Sequence, residues 1–304
     1  MMEASAAPDS TCAAPHPTQE AFMSRRTRPI ALAAGVLAVA LALTGCASNG
    51  PSDSPAESDA DAGYLTPGKL TVATGETAYY PYVIDDDPAS GEGFEAAVAY
   101  AVADRLGFAK EDVEWVRTSF ESAIAPGPKS FDFNIQQYTI TDERKQAVDF
   151  SSPYYEASQA VVAIEGGAAD GVTDIAGLKG LTLGAMAGST SATTIDEAIA
   201  PDVEPLLYNS NEDAVAALQA NQIDALVLDL PTAYYATGVY IEDSFIVGEL
   251  PVAGVPDEWG LLLAKDSPLT EKVTAAVDEL REDGTLAEIT EEWLGEGQGV
   301  ELLK

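Results

Sequence analysis

From residue 68 to the end of the chain, short apolar runs alternate with segments whose apolar residues recur at helical spacing, and this alternation happens twice. Leu70-Thr-Val-Ala-Thr74 is a compact strand-like run, and residues 93–106 carry Phe94, Val98, Ala101, Val102 and Leu106 at helical intervals. Residues 113–116, 131–135 and 158–164 read as further strands, and 141–148 as a short helix with Thr141 at its N-cap. The second series comprises a strand at 181–185, a helix opened by Gly188-Ser-Thr-Ser, a strand at 204–208, a helix capped by Ser210, a strand at 223–228 and a helix begun by Pro231. An apolar run at 260–263, a helix with Val273, Val277 and Leu280 stopped by Asp283-Gly284, and a helix at 288–294 close the chain. Strands that alternate with helices bury their apolar faces as α/β layers. The sequence therefore predicts an α/β protein of two lobes with mainly parallel sheets, which bind ligands at the strands' carboxyl ends.

Charge narrows the function. Fifty Asp and Glu against 15 Lys and Arg give a net charge of −35 over 304 residues, so no basic surface exists to neutralise phosphates and a nucleic-acid partner is excluded. The first 45 residues are balanced, with Arg25, Arg26 and Arg28 against Glu3, Asp9 and Glu20, so the whole imbalance belongs to residues 46–304. A hydrophobic fraction of 46% supports a packed core rather than acidic disorder. The acidic excess itself reads as solvated, solubilising faces.

His16 is the only histidine, and Cys12 and Cys46 are the only cysteines. A mature chain beginning at Cys46 has neither an imidazole base nor an intrachain disulfide. A Ser-His-Asp or Cys-His nucleophile and a His-ligated metal are then impossible, and any chemistry would run on carboxylates, Lys, Tyr or backbone; no catalytic residue, metal or cofactor is assigned, and the protein is read as a non-enzyme.

Residues 23–29, Met-Ser-Arg-Arg-Thr-Arg-Pro, form a cationic stretch, and residues 30–43 an apolar run without a polar side chain. At ~1.5 Å per helical residue the run is too short to span a bilayer core of ~30 Å, so it reads as an export signal. It ends Leu43-Thr-Gly-Cys46, which resembles the bacterial lipoprotein signal and implies lipidation of Cys46. Met23 is the expected initiator, since the charged region of such a signal usually starts a protein. Residues 46–67 are rich in Ala, Ser, Asp, Pro and Gly and are expected to be a flexible spacer.

One stretch is specific enough to point to a family. Thr139-Ile-Thr-Asp-Glu-Arg144-Lys-Gln-Ala-Val-Asp-Phe-Ser-Ser-Pro-Tyr-Tyr155 resembles the signature of the bacterial solute-binding proteins for polar amino acids, family 3 of the ABC-importer binding proteins. Similar elements occur in order: Leu70 through the aromatic Tyr79-Tyr-Pro-Tyr82, Gly93-Phe-Glu95, Ala225-Leu-Val-Leu-Asp229, Trp259-Gly-Leu, and residues 280–293. The resemblance covers roughly residues 68–295. It implies a type II periplasmic-binding-protein-like fold, with two Rossmann-like lobes joined by two hinge strands at 154–159 and 254–259. Lobe 1 would be 68–153 plus 260–304, and lobe 2 would be 160–253.

The resemblance also implies a ligand site. Arg144 would clamp the carboxylate of an amino acid, which its planar fork matches bidentately; its spacing alone equally suits neutralising Asp142, Glu143 or Asp149. The amides of Gly188, Ser189 and Thr190 at a helix start would hold the same carboxylate. Asp229 would meet the ammonium together with Thr139, and Asp229 also reads as a helix N-cap. Tyr79 and Phe120 would sandwich the ligand, and Glu76 would read its distal group. Gln136 and Gln137 stand where relatives usually have small residues, so Gln137 is a candidate ligand contact. Met186 and Leu228 stand where glutamine-specific members have a lysine and a histidine, which argues against specificity for glutamine. The implied protein is a monomeric, lipid-anchored extracytoplasmic receptor that delivers its ligand to an ABC permease and ATPase. Two alternatives fit the same fold: a dehydratase-like enzyme, and an amino-acid-sensing surface lipoprotein without a transport partner.

Overall fold

The computed structural model describes residues 63–252, 256–295 and 299–304. The signal segment, Cys46 and most of the spacer lie outside the described residues. The spacer's last residues do not dangle: the Leu65 amide donates to Asp132 at 2.8 Å, and the Tyr64 ring packs edge-on against Phe108 at 4.9 Å.

The chain builds β1 (Leu70–Gly75), α1 (Phe94–Arg105), β2 (Val113–Thr118), α2 (Phe120–Ile124), β3 (Phe133–Asn134) and β4 (Val148–Ala157). It continues through β5 (Gln159–Ile164), α3 (Ile175–Leu178), β6 (Leu183–Met186), α4 (Thr190–Thr194), β7 (Leu206–Tyr208), α5 (Asn211–Gln219), β8 (Ala225–Asp229), α6 (Leu230–Tyr235) and β9 (Ser244–Glu249). β10 (Asp257–Ala264), α7 (Thr270–Glu282) and α8 (Thr285–Leu294) complete it. Two five-stranded sheets result, ordered β2-β1-β3-β10-β4 and β7-β6-β8-β5-β9.

The sheets are mixed, not mainly parallel as expected. In the first, β1 pairs in parallel with β2 and β3, while β10 runs antiparallel to β3 and β4. In the second, β6 pairs in parallel with β7 and β8, while β5 runs antiparallel to β8 and β9. The antiparallel members are the strands by which the chain changes sheets. β4 in the first sheet hands over at Ser158 to β5 in the second, and β10 returns after β9.

Each sheet is covered on both faces, and strand alternation divides the side chains between them. In β5, Val161 and Ala163 join a core with Leu178, Leu183, Ile195 and Ile199, while Ala160 and Val162 point to the opposite core with Val215, Leu218, Leu226 and Leu228. In β10, Leu261 and Leu263 face the α1, α7 and α8 side of the first sheet, and Leu262 faces Phe131, Tyr138 and Val148. No hydrophobic cluster of buried residues among the described residues spans both sheets, so the apolar effect holds each lobe together separately; the lobes meet through polar contacts and the Tyr80–Tyr235 ring pair at 5.2 Å.

The chain's end departs from the sequence reading, which placed 260–304 in lobe 1. Residues 299–304 lie on the second sheet: the Leu303 amide donates to the Glu249 carbonyl at 2.9 Å, and the Leu303 side chain is buried in that sheet's core. Gly248 makes room for it, since a Cβ there would stand 2.5 Å from Leu303 Cγ.

Two local expectations also change. Residues 141–148 form a 3-10 turn at Arg144–Gln146 rather than a helix, because Val148 already pairs with Ala264 in the β4–β10 ladder. Thr141 still acts as expected, its hydroxyl oxygen accepting from the Arg144 amide at 3.1 Å. The expected strand 131–135 is regular only at Phe133–Asn134, with the Asp132 amide donating to the Thr71 carbonyl at 2.8 Å and the Ile135 amide to the Ala73 carbonyl at 3.0 Å on either side.

Candidate functional site

The site begins in the loop after β1. Tyr82 is held where its carbonyl accepts from the Glu95 and Ala96 amides at the start of α1. Gly93 permits this approach: its φ is +107°, and a Cβ would lie 2.5 Å from the Tyr82 oxygen. Tyr79 and Tyr82 pack edge-on at 5.6 Å, and each reaches the second lobe. The Tyr82 hydroxyl is 2.9 Å from Thr232 Oγ1, and Asn211 Nδ2 donates to the Tyr79 hydroxyl at 3.1 Å.

Between the lobes lies a cleft of about 290 Å³. Four residues expected to contact ligand line it: Glu76, Tyr79, Phe120 and Gln137. Glu95, Met186, Asn211 and Glu212 complete its functional wall. Phe120 stacks on Tyr138 at 4.6 Å, and the Arg144 guanidinium carbon stands 5.4 Å from the centre of the Phe120 ring.

Gln137 is tied more closely to the protein than the sequence suggested. Its backbone φ is +48°, its amide N–H donates to Glu95 Oε1 at 2.8 Å, and its side-chain amide donates to Glu95 Oε2. The Tyr154 hydroxyl donates to the same carboxylate. Glu95 is 1% exposed, and burial pushes its carboxyl up to about 7 despite these three donors.

The other six expected residues meet where the lobes join. Strand register explains why: Gln159, opening β5, is the partner of Asp229, closing β8, while Asp257, opening β10, is the partner of Ala157 two residues before Gln159. Thr139 is bridged to Trp259. The Gln159 side-chain amide donates to Asp229 Oδ1 at 2.6 Å and also to Asp257 Oδ2. The Thr139 hydroxyl donates to Asp257 Oδ1 and lies 3.1 Å from the Thr190 hydroxyl. Ser191 Oγ donates to Gln159 Oε1 at 2.7 Å.

Arg144 is 9% exposed and lies across the junction, donating to the Thr139 carbonyl at 2.8 Å and to the Gly188 carbonyl at 2.9 Å. Gly188 thus offers Arg144 a carbonyl, where the sequence reading assigned it an amide for the ligand. Ser189 caps α4, its Oγ accepting from the Ala192 amide at 3.2 Å. None of the ion pairs among the described residues includes Arg144, so Asp142, Glu143 and Asp149 do not neutralise it directly. Asp229 pairs with no cation among them either. Burial, reinforced by Asp257, pushes its carboxyl well above the usual range.

Sequence reasoning missed Glu95, Gln159, Asn211 and Asp257. Asp257 had one signal, an acid inside the expected second hinge; Gln159 likewise closes the first. Asn211 and Glu95 acquire their positions only through tertiary contacts.

Two α/β lobes exchanging strands around a polar cleft define a type II periplasmic binding protein. The chain belongs to the bacterial extracellular solute-binding proteins, family 3, whose model matches residues 70–296. Among similar proteins is an L-arginine-binding protein of Pseudomonas aeruginosa, 31% identical over 225 residues, covering 72% of this chain and 85% of the relative. The ABC transporter glutamine-binding protein GlnH of Bacillus subtilis is 31% identical over 217 residues, covering 69% of this chain and 76% of GlnH. A solved structure of an ancestral arginine-binding protein bound to glutamine superposes with a TM-score of 0.64 at 34% identity, covering 76% of this chain and all of that one.

Proposed function

We propose that this protein is the extracytoplasmic receptor of an ABC importer, capturing a free amino acid between its lobes and delivering it to the permease. The observation that carries the reading is a pair of side chains at the lobe junction without ion-pair partners among the described residues: the buried Arg144 guanidinium and the half-buried Asp229 carboxyl. A zwitterion answers both, its carboxylate to Arg144 and its ammonium to Asp229 and Thr139. Closure then follows from mass action, since Arg144 and Asp229 belong to different lobes and only the closed form offers both to one ligand.

Glu76, Glu95 and Glu212 are among the residues lining the cleft, and no Lys, Arg or His among the described residues lines it. This wall favours a neutral or cationic side chain over an acidic one, in keeping with the names of the arginine- and glutamine-binding relatives. Cys46, at the end of the export signal, anchors the mature chain through lipid; no described helix is long and apolar enough to cross a membrane. The relatives are named for binding, and a receptor needs no covalent step. A thermal-shift screen against the proteinogenic amino acids tests the reading. L-Arginine, L-lysine or L-glutamine raises the melting temperature by mass action and L-glutamate does not; a melting temperature unmoved by every amino acid refutes it.

A further inference from the structure

Ligand capture by Arg144, Asp229 and Thr139 leaves Asp257 without a task. Asp257 is 8% exposed and belongs to the first sheet, whereas Asp229 belongs to the second. The Ser191 hydroxyl on Gln159 Oε1 fixes the orientation of that side chain, so its NH2 faces both acids at once. One nitrogen, Gln159 Nε2, therefore touches both carboxyls and sets them side by side. Asp257 gathers donors from Thr139 and Gln159, with Thr190 Oγ1 at 3.4 Å, whereas Asp229 receives Gln159 alone.

One amide serves both acids, and Asp229, which has Gln159 as its only donor and is held well above the usual carboxylate range by burial and by the nearby Asp257, keeps its proton. We propose that Asp257 is a second acid of the ammonium site, and that an arriving α-ammonium, held between the two acids, displaces the proton on Asp229. The inference rests on the amino-acid reading. In the exchange the O–H bond of Asp229 breaks, its proton passes to buffer, Asp229 goes from neutral to −1, and the ammonium keeps all three of its protons.

The surrounding groups do not supply this proton. Arg144, from the turn before β4, remains a cation. Tyr79 and Tyr82, from the loop after β1, and Tyr155, on β4, are held above the ordinary phenol range by burial and stay neutral. Thr190, Ser191 and Thr232 from the second lobe do not titrate. Glu95, which lies behind Tyr82 and Tyr154 and is pushed up to about 7 by burial, is a competing source, and Glu143 and Glu197 line the cavity beside Asp257.

Calorimetry with L-arginine and with L-glutamine, in buffers of matched pH and different ionisation enthalpy, counts the protons. These ligands keep their own charges between about pH 5.5 and about 7.5. We expect about one proton released per ligand at about pH 6, and a Kd that tightens roughly tenfold per pH unit over the lower part of that range. Asp257→Asn reduces the release and shallows the slope, and a release unchanged in that variant removes Asp257 from the ammonium site, while Glu95→Gln retains the release whatever its affinity. Binding without proton release by the wild type overturns the proposal but leaves the receptor reading intact. Release that survives Asp257→Asn and vanishes in Glu95→Gln assigns the proton to Glu95 and also overturns it. If Asp257→Asn does not fold, wild type and Glu95→Gln still decide whether the proton belongs to the aspartate pair. If neither ligand nor any other amino acid binds, the receptor reading falls and takes the proposal with it.

Discussion

Replacing Glu95 by Gln isolates one buried charge and yields a number. The Glu95 carboxyl is raised from 4.5 to about 7 by burial beneath Tyr154 and Gln137. Between those two values the folded protein holds a proton that the unfolded chain has released. Stability therefore falls as pH rises, by about 1.4 kcal/mol per pH unit. The contribution is fully present below the unfolded value and lost as pH climbs through the folded one. Over the whole window the loss comes to about 3 kcal/mol, a sizeable share of a typical domain's stability. Gln is neutral at every pH and keeps the shape, so the mutant lacks this slope. Urea unfolding of both proteins at pH steps from about 4.5 to about 7.5 measures it, and the difference cancels every titration the two share. The mutant should gain on the wild type by about 3 kcal/mol from the acid to the neutral end. Two stability profiles that run parallel across the window refute the reasoning.

Arg144→Ala should lose amino-acid affinity by roughly 2–5 kcal/mol, because it removes one side of a buried charge pairing, and undiminished binding in calorimetry rejects the carboxylate assignment. Leu303→Ala should destabilise the fold by roughly 2–5 kcal/mol in urea unfolding, as expected for a leucine 2% exposed in the second lobe's core, and a neutral result means the tail merely rests on the surface. Gly93→Ala should lower the melting temperature through its positive φ and the clash with the Tyr82 carbonyl, by about 1–3 kcal/mol in unfolding free energy, and an unchanged transition removes the close approach from the account. Cys46→Ser should release the mature protein into the soluble fraction, and membrane retention contradicts lipid anchoring.

What the sequence disclosed was local. Ser210 announced α5, and its hydroxyl does accept from the Asp213 amide at 3.1 Å. The spacing of Val273, Val277 and Leu280 announced α7, whose buried face they form. β9 escaped notice because Ser244–Glu249 is six residues of half-buried edge strand with little alternation. Antiparallel pairing of β5 and β10 was hidden for a different reason: strand direction is settled by partners far along the chain. The family resemblance pointed to Glu76, Tyr79 and Phe120, and a departure from it to Gln137, and all four line the cleft. It was silent on Asp257 and Gln159, since an acid and an amide 98 positions apart become neighbours only through the registers of β4–β10 and β5–β8. Glu95 sat inside a matched stretch, yet its role depends on the left-handed turn at Gln137 that no local pattern declares.

The two ends of the folded chain rest on different lobes, Leu65 on the first and Leu302 on the second, and both side chains are about half exposed. Fluorophores attached at those two positions therefore ride on opposite jaws. With Cys12 and Cys46 replaced, single cysteines there take a donor and an acceptor dye, and energy transfer between them reports jaw movement in real time. The molecule becomes an optical gauge of its own ligand with no reporter spliced into its interior.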